Sequence, residues 1–104
     1  MKSEHIIYKA ELFLSRKMYN KVIETLENAI NSAKEENDFV NLIRANCFLG
    51  EALFMEGNYE KASKYLLFVT ENSNEIESYD DLLDMELHHC DLLLGLIERY
   101  GKGK

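Results

Sequence analysis

Three side chains of metal-ligand type fall on one face of a predicted C-terminal helix: Asp84, His88 and Asp91. Their separations of four and three residues bring side chains together on a helix surface. Carboxylate and imidazole groups bind divalent metals in proteins. No ligand from a second helix accompanies them, however, and polar residues on a solvated helix face produce the same pattern. We therefore predict no metal and no cofactor.

Other catalytic chemistry is equally thin in this sequence. It has no glycine-rich phosphate loop and no paired motif of nucleophile and base. Cys47 and Cys90 each sit among apolar neighbours in predicted helices, which is typical of small buried hydrophobic residues rather than reactive thiols. A disulfide between them is not expected in a cytosolic chain. We predict that the protein is not an enzyme.

The charge balance excludes two classes of partner. The 104 residues carry a formal net charge of −7. Nucleic acids and anionic membrane surfaces both attract clustered lysine and arginine, so neither is expected to bind. No apolar run approaches the roughly 20 residues of a membrane-spanning helix. The first five residues, Met-Lys-Ser-Glu-His, contain no apolar signal core. A cytoplasmic location follows as an expectation.

The elements that position these residues are predicted to be helices. The chain has no proline, and its apolar residues recur at separations of three and four. An acidic linker covers residues 73–81. Within it, Ser78 and Asp81 have the spacing of a capping box that would start the last helix. Five helices are predicted, at about 3–16, 19–35, 39–56, 58–72 and 79–100.

One stretch, from Leu49 to Ala62, has the pattern of a tight helix hairpin. Gly50 provides a small residue for a close helix contact, and Gly57 and Asn58 provide a turn. A weaker copy lies 40 residues earlier. Its matched pairs are Ala10 with Gly50, Tyr19 with Tyr59, Val22 with Ala62, Leu26 with Leu66, and Ala29 with Val69. A fixed period with matched residue types indicates a repeat protein.

These residues resemble the tetratricopeptide repeat, a helix–turn–helix unit of about 34 residues. Lys17 stands where the first repeat should have its turn glycine, and the longer period resembles the family's long-repeat members. The resemblance implies an all-α fold in which antiparallel helix hairpins stack as an α–α superhelix. A single domain, 1–104, would hold about two and a half repeats: 3–36, 39–72, and an extra helix at about 78–100. An offset of either 40 or 45 residues can align that extra helix with the second repeat.

In this family, the first helix of each pair lines a concave groove. Ile7 and Leu14 match groove positions, but they are equally typical of core residues. The remaining matched positions are Tyr8, Glu11, Ser15, Arg44, Cys47, Phe48, Glu51, Phe54 and Met55.

The groove residues favour one kind of ligand. A subfamily binds chaperone C-terminal carboxylates through lysine, asparagine and arginine, but Arg44 is the one suitable residue at the matching positions here. Glu11 would repel a carboxylate. With two acids, aromatic rings and a methionine, the groove suits an apolar or basic peptide, such as an amphipathic helix.

The sequence thus predicts a protein–protein interaction module or scaffold without catalysis. Two alternatives stay open: a peptide-sensing regulatory domain like the bacterial long-repeat relatives, and a homodimerising scaffold subunit of a larger assembly. The second rests on the C-terminal helix, which is apolar on most sides. Its proposed dimer or packing surface consists of Leu92, Leu93, Leu96 and Ile97.

Overall fold

The protein is all-α, as predicted. The computed structural model describes residues 2–101, so the predicted domain limits 1 and 104 lie outside that range. No helix between residues 2 and 101 is both long and apolar enough to cross a bilayer. The helices are α1 Ser3–Ser15, α2 Tyr19–Glu36, α3 Phe39–Met55, α4 Tyr59–Glu71, α5 Ser73–Glu77 and α6 Asp84–Leu96, and a π-helical turn, Ile97–Gly101, follows α6.

The two hairpin turns have the same geometry 40 residues apart. Lys17 has φ 58° and Gly57 has φ 84°, so each turn contains one residue in the left-handed region. Lysine therefore adopts the conformation that glycine adopts in the second copy, at a higher steric cost. Each turn also closes with a backbone hydrogen bond of 3.0 Å, donated by Met18 to Phe13 and by Asn58 to Leu53.

Each hairpin is held together in its own way. In the first, the backbone N–H and the hydroxyl of Ser3 donate to the carboxylate of Glu36 at 3.1 and 2.9 Å, joining the start of α1 to the end of α2. In the second, Gly50 lets α3 and α4 approach closely. A methyl group built on Gly50 would lie 2.5 Å from the Leu66 side chain. The predicted close helix contact is therefore present.

The helices form two layers around one core. α1, α3 and α6 lie side by side in one layer, and α2 and α4 form the other, packed against them. Leu26, Ile43, Leu49 and Leu66 are fully buried between the layers. The core face of α2 agrees with the predicted apolar stripe, because its buried residues are Val22, Leu26, Ala29, Ile30 and Ala33.

The C-terminal third differs from the prediction of a linker and a fifth helix from about residue 79. Residues 73–77 form the separate helix α5, and α6 begins only at Asp84. The predicted capping box is wrong: the Ser78 hydroxyl donates to the Glu75 carbonyl instead, at 2.6 Å. Two fully buried residues, Ile76 and Leu83, hold this segment against the core and so move the start of the last helix.

Candidate functional site

An open groove of about 1220 Å³ runs along the layer formed by α1, α3 and α6. α3 forms its floor, since it packs against both α1 and α6. Within the described residues, α1 and α6 do not contact each other, and the space between them is the groove. The three helices therefore act as two walls and a floor.

The groove residues recur with the same spacing on each helix. Four positions per helix, separated by three, one and three residues, face the groove, which is the spacing of one helical face. They are Glu4, Ile7, Tyr8 and Glu11 on α1, Arg44, Cys47, Phe48 and Glu51 on α3, and Met85, His88, His89 and Leu92 on α6. The offset is 40 residues between the first two sets and 41 between the second and third. Neither of the two offsets predicted for the last helix, 40 and 45, reproduces the second of these.

Most of the predicted groove residues line this space. Ile7 and Leu14, which the sequence left between core and groove, do so too. Phe54 and Met55 do not. The ring of Phe54 packs against Tyr59 at the start of α4, with centroids 5.4 Å apart, and Met55 is exposed at the end of α3. The predicted residues that the structure brings together are Tyr8, Glu11, Ser15, Arg44, Cys47, Phe48 and Glu51.

The whole α6 wall was missed by the sequence prediction. The late start of α6 and the one-residue change of offset shift its groove face away from the positions that a strict 40-residue period marks. A signal was nevertheless present, because the apolar residues Met85 and Leu92 are separated by seven residues, or two helical turns. The residues that α6 contributes are Met85, Glu86, His88, His89 and Leu92.

Polar contacts tie the floor of the groove to the α6 wall. The Arg44 guanidinium donates to the Glu86 carboxylate at 3.3 Å, and His89 Nε2 lies 2.7 Å from Glu51 Oε2. All four side chains are partly exposed, so each pair contributes at most about 1 kcal/mol to stability. Their clearer effect is on charge, because they place a partner beside each acid on the floor and the α6 wall.

No protein-family model, curated protein or solved structure matches this chain. The geometry of the groove is therefore the basis for a functional assignment.

The groove is acidic, and its charge depends on pH. Four carboxylates and one guanidinium line it, which gives a net charge of −3 when the histidines are neutral. All three histidines of the chain, His5, His88 and His89, also line it. Histidine is the side chain that normally gains a proton between about pH 8 and pH 5. Mild acid therefore brings this surface towards neutrality.

The two cysteines are buried, as predicted. Both thiols are free, and Cys90 is fully enclosed while Cys47 forms part of the groove floor. The Cys47 thiol lies 3.7 Å from the Glu86 carbonyl and donates to it. Hydrogen bonding with Cys47, together with burial, raises the pKa of Cys90 well above its ordinary value. Cys90 therefore remains a protonated thiol, which is a poor nucleophile.

The three residues with metal-ligand chemistry form no such site. Asp84, His88 and Asp91 are all exposed on α6. Among residues 2–101, no group of three His, Cys, Asp or Glu side chains is arranged to hold a metal ion. His88 instead belongs to the groove wall.

The proposed dimer surface on the last helix divides into two faces. Leu93 and Ile97 are only 6% and 7% exposed, because they pack into the core of the protein itself. They are therefore not available to a second copy, which corrects that part of the predicted surface. Leu92 and Leu96 remain exposed, and Leu92 also lines the groove.

Proposed function

We propose that this protein is a tetratricopeptide-type interaction module that binds a helical segment of a partner protein in the groove and performs no catalysis. The observation that carries the proposal is the recurrence of the same four groove positions on α1, α3 and α6. A surface built from repeated helix faces is how solenoid repeats form extended binding sites. The 40-residue repetition of the turn geometry supports the same family.

The chemistry of the groove supports a helix as the ligand. Its floor and its α6 wall present apolar side chains, including Phe48, Met85 and Leu92, in rows spaced like a helix face. An amphipathic helix places its apolar residues in such a groove at the same spacing. We place the module in the cytoplasm, and the two free thiols support that placement, because disulfides are rare there.

Exposed groove residues provide the test, since their truncation costs little folding energy. Tyr8, Met85 and Leu92 are 63%, 84% and 54% exposed. The probe is a designed helical peptide of about 14 residues, roughly 21 Å long, with leucines along one face. We expect the triple change Tyr8→Ala, Met85→Ala, Leu92→Ala to weaken peptide binding about tenfold or more, measured by fluorescence anisotropy.

The matched control removes apolar area outside the groove. Leu12, Leu67 and Leu82 are similarly exposed, and none of them lines the groove. Their triple alanine change should leave the peptide affinity unchanged. Equal loss of affinity in the two triple variants, or no loss in either, would contradict binding in the groove.

Homodimerisation through α6 is a second candidate, and the exposure of Leu92 and Leu96 on adjacent turns favours it. Sedimentation at increasing concentration tests this. A dimer that Leu96→Glu dissociates supports the second candidate, and a monomer at all concentrations excludes it.

A further inference from the structure

The two walls of the groove differ in charge. On α1, Glu4 and Glu11 face the groove seven residues apart, about 10.5 Å along the helix. Both are exposed, and within residues 2–101 neither forms an ion pair. The other two groove acids, Glu51 and Glu86, do have partners. Negative charge without a partner is therefore concentrated on the α1 wall.

The opposite wall is apolar at the matching height. Met85 and Leu92 on α6 are also seven residues apart and are the most exposed apolar side chains of that helix. The one guanidinium in the groove belongs to Arg44, which is held on the floor by Glu86. A ligand lying between α1 and α6 thus meets acids on one side and apolar groups on the other.

We propose that the occupant is an amphipathic helix carrying two basic residues seven positions apart, which pair with Glu4 and Glu11 while its apolar face lies on the floor and against α6. This inference rests on the proposed function of the groove. It follows from geometry, because two helices lying side by side have the same rise per residue, so a seven-residue spacing on α1 matches a seven-residue spacing on the ligand. An acidic residue at either position of the ligand would be repelled.

Two designed peptides of about 14 residues provide the test. Both have the same composition and the same leucine face. In the first, two lysines are seven residues apart on one flank of the helix. In the second, the lysines are five residues apart and point to different sides. We expect the first peptide to bind about fivefold more tightly, the size expected for two exposed ion pairs.

Variants of the protein assign that preference to α1. The double change Glu4→Gln, Glu11→Gln should weaken binding of the first peptide about fivefold, remove its advantage over the second, and reduce its salt dependence. Glu24→Gln, Glu27→Gln is the control, because both residues are exposed on α2 outside the groove and the change in net charge is the same. The control should retain the preference for the first peptide. Thermal unfolding by circular dichroism verifies that each variant is folded.

The outcomes separate this inference from the function on which it rests. If the Tyr8, Met85, Leu92 triple variant weakens both peptides while Glu4→Gln, Glu11→Gln changes nothing, the groove binds helices and the basic-spacing inference is overturned. If the two peptides bind the natural protein equally, the inference is also overturned. If neither set of groove variants changes the affinity, the proposed function fails as well.

Discussion

Replacement of Gly50 by alanine should destabilise the protein, although alanine is the better helix former. Gly50 lies in α3, where the closest atoms of α4 are those of the Leu66 side chain. An added methyl group would lie 2.5 Å from Leu66 Cδ2 and 2.7 Å from Cγ, about 0.9 Å short of the 3.4 Å at which ordinary contact begins. Leu66 is fully buried, so it has no free space into which to move.

Gly95 supplies the matched control for this prediction. It also lies in a helix, α6, but a methyl group there would have no neighbour within 4 Å. Gly95→Ala should therefore gain up to about 1 kcal/mol of helix propensity at no steric cost. Gly50→Ala has the same gain but adds an overpacking penalty of about 1–3 kcal/mol. The two variants should thus differ by about 1–3 kcal/mol.

Chemical denaturation followed by circular dichroism measures this difference directly. In a chain of this size, each 1 kcal/mol corresponds to a change of about 4–8 °C in melting temperature, so Gly50→Ala should melt at least about 4 °C below Gly95→Ala. If Gly50→Ala is as stable as Gly95→Ala, the close approach of α3 and α4 at this position is refuted.

Three further predictions concern the first turn, a helix cap and the groove. Lys17→Gly should stabilise the protein by about 0.5–1 kcal/mol in denaturant titrations, because lysine at φ 58° is strained there and glycine is not. Asp38 caps α3, and hydrogen bonding from the Asn41 side chain holds its pKa below the ordinary 3.8. Its stabilising effect is therefore present above pH 4 and is lost as pH falls through the lowered pKa. Asp38→Ala should cost about 1 kcal/mol at neutral pH, and this cost should shrink in strong acid. Binding of a lysine-bearing helix to the groove should weaken from about pH 8 to pH 5 as the three groove histidines gain charge, and glutamine at all three positions should flatten that dependence.

The sequence was sufficient for the first four helices because their signals are local. Turn residues at Gly57 and Asn58, together with apolar spacing in each helix, place the boundaries of α1 to α4 within one residue of those observed. The last helix depends instead on tertiary contacts. The burial of Ile76 and Leu83 against the core decides where it starts, and a local capping pattern at Ser78 does not reveal this.

The same distinction explains the groove. A 40-residue period carries the groove face of α1 onto α3 correctly, because both hairpins turn in the same way. At the end of α3, however, Phe54 turns towards Tyr59, a contact between helices that no spacing within α3 predicts. On α6, one additional residue in the connection changes the offset to 41, and a prediction based on a constant period cannot include such an insertion.

Mapping the binding site by NMR is the most direct test of the groove as a helix-binding surface. The backbone amide signals of isotopically labelled protein would be followed while the peptide with lysines seven residues apart is added. Our account predicts shifts concentrated at the groove residues of α1, α3 and α6, with the outward surfaces of α2 and α4 unaffected. Shifts centred on α2 and α4, or none at saturating peptide concentration, would contradict it.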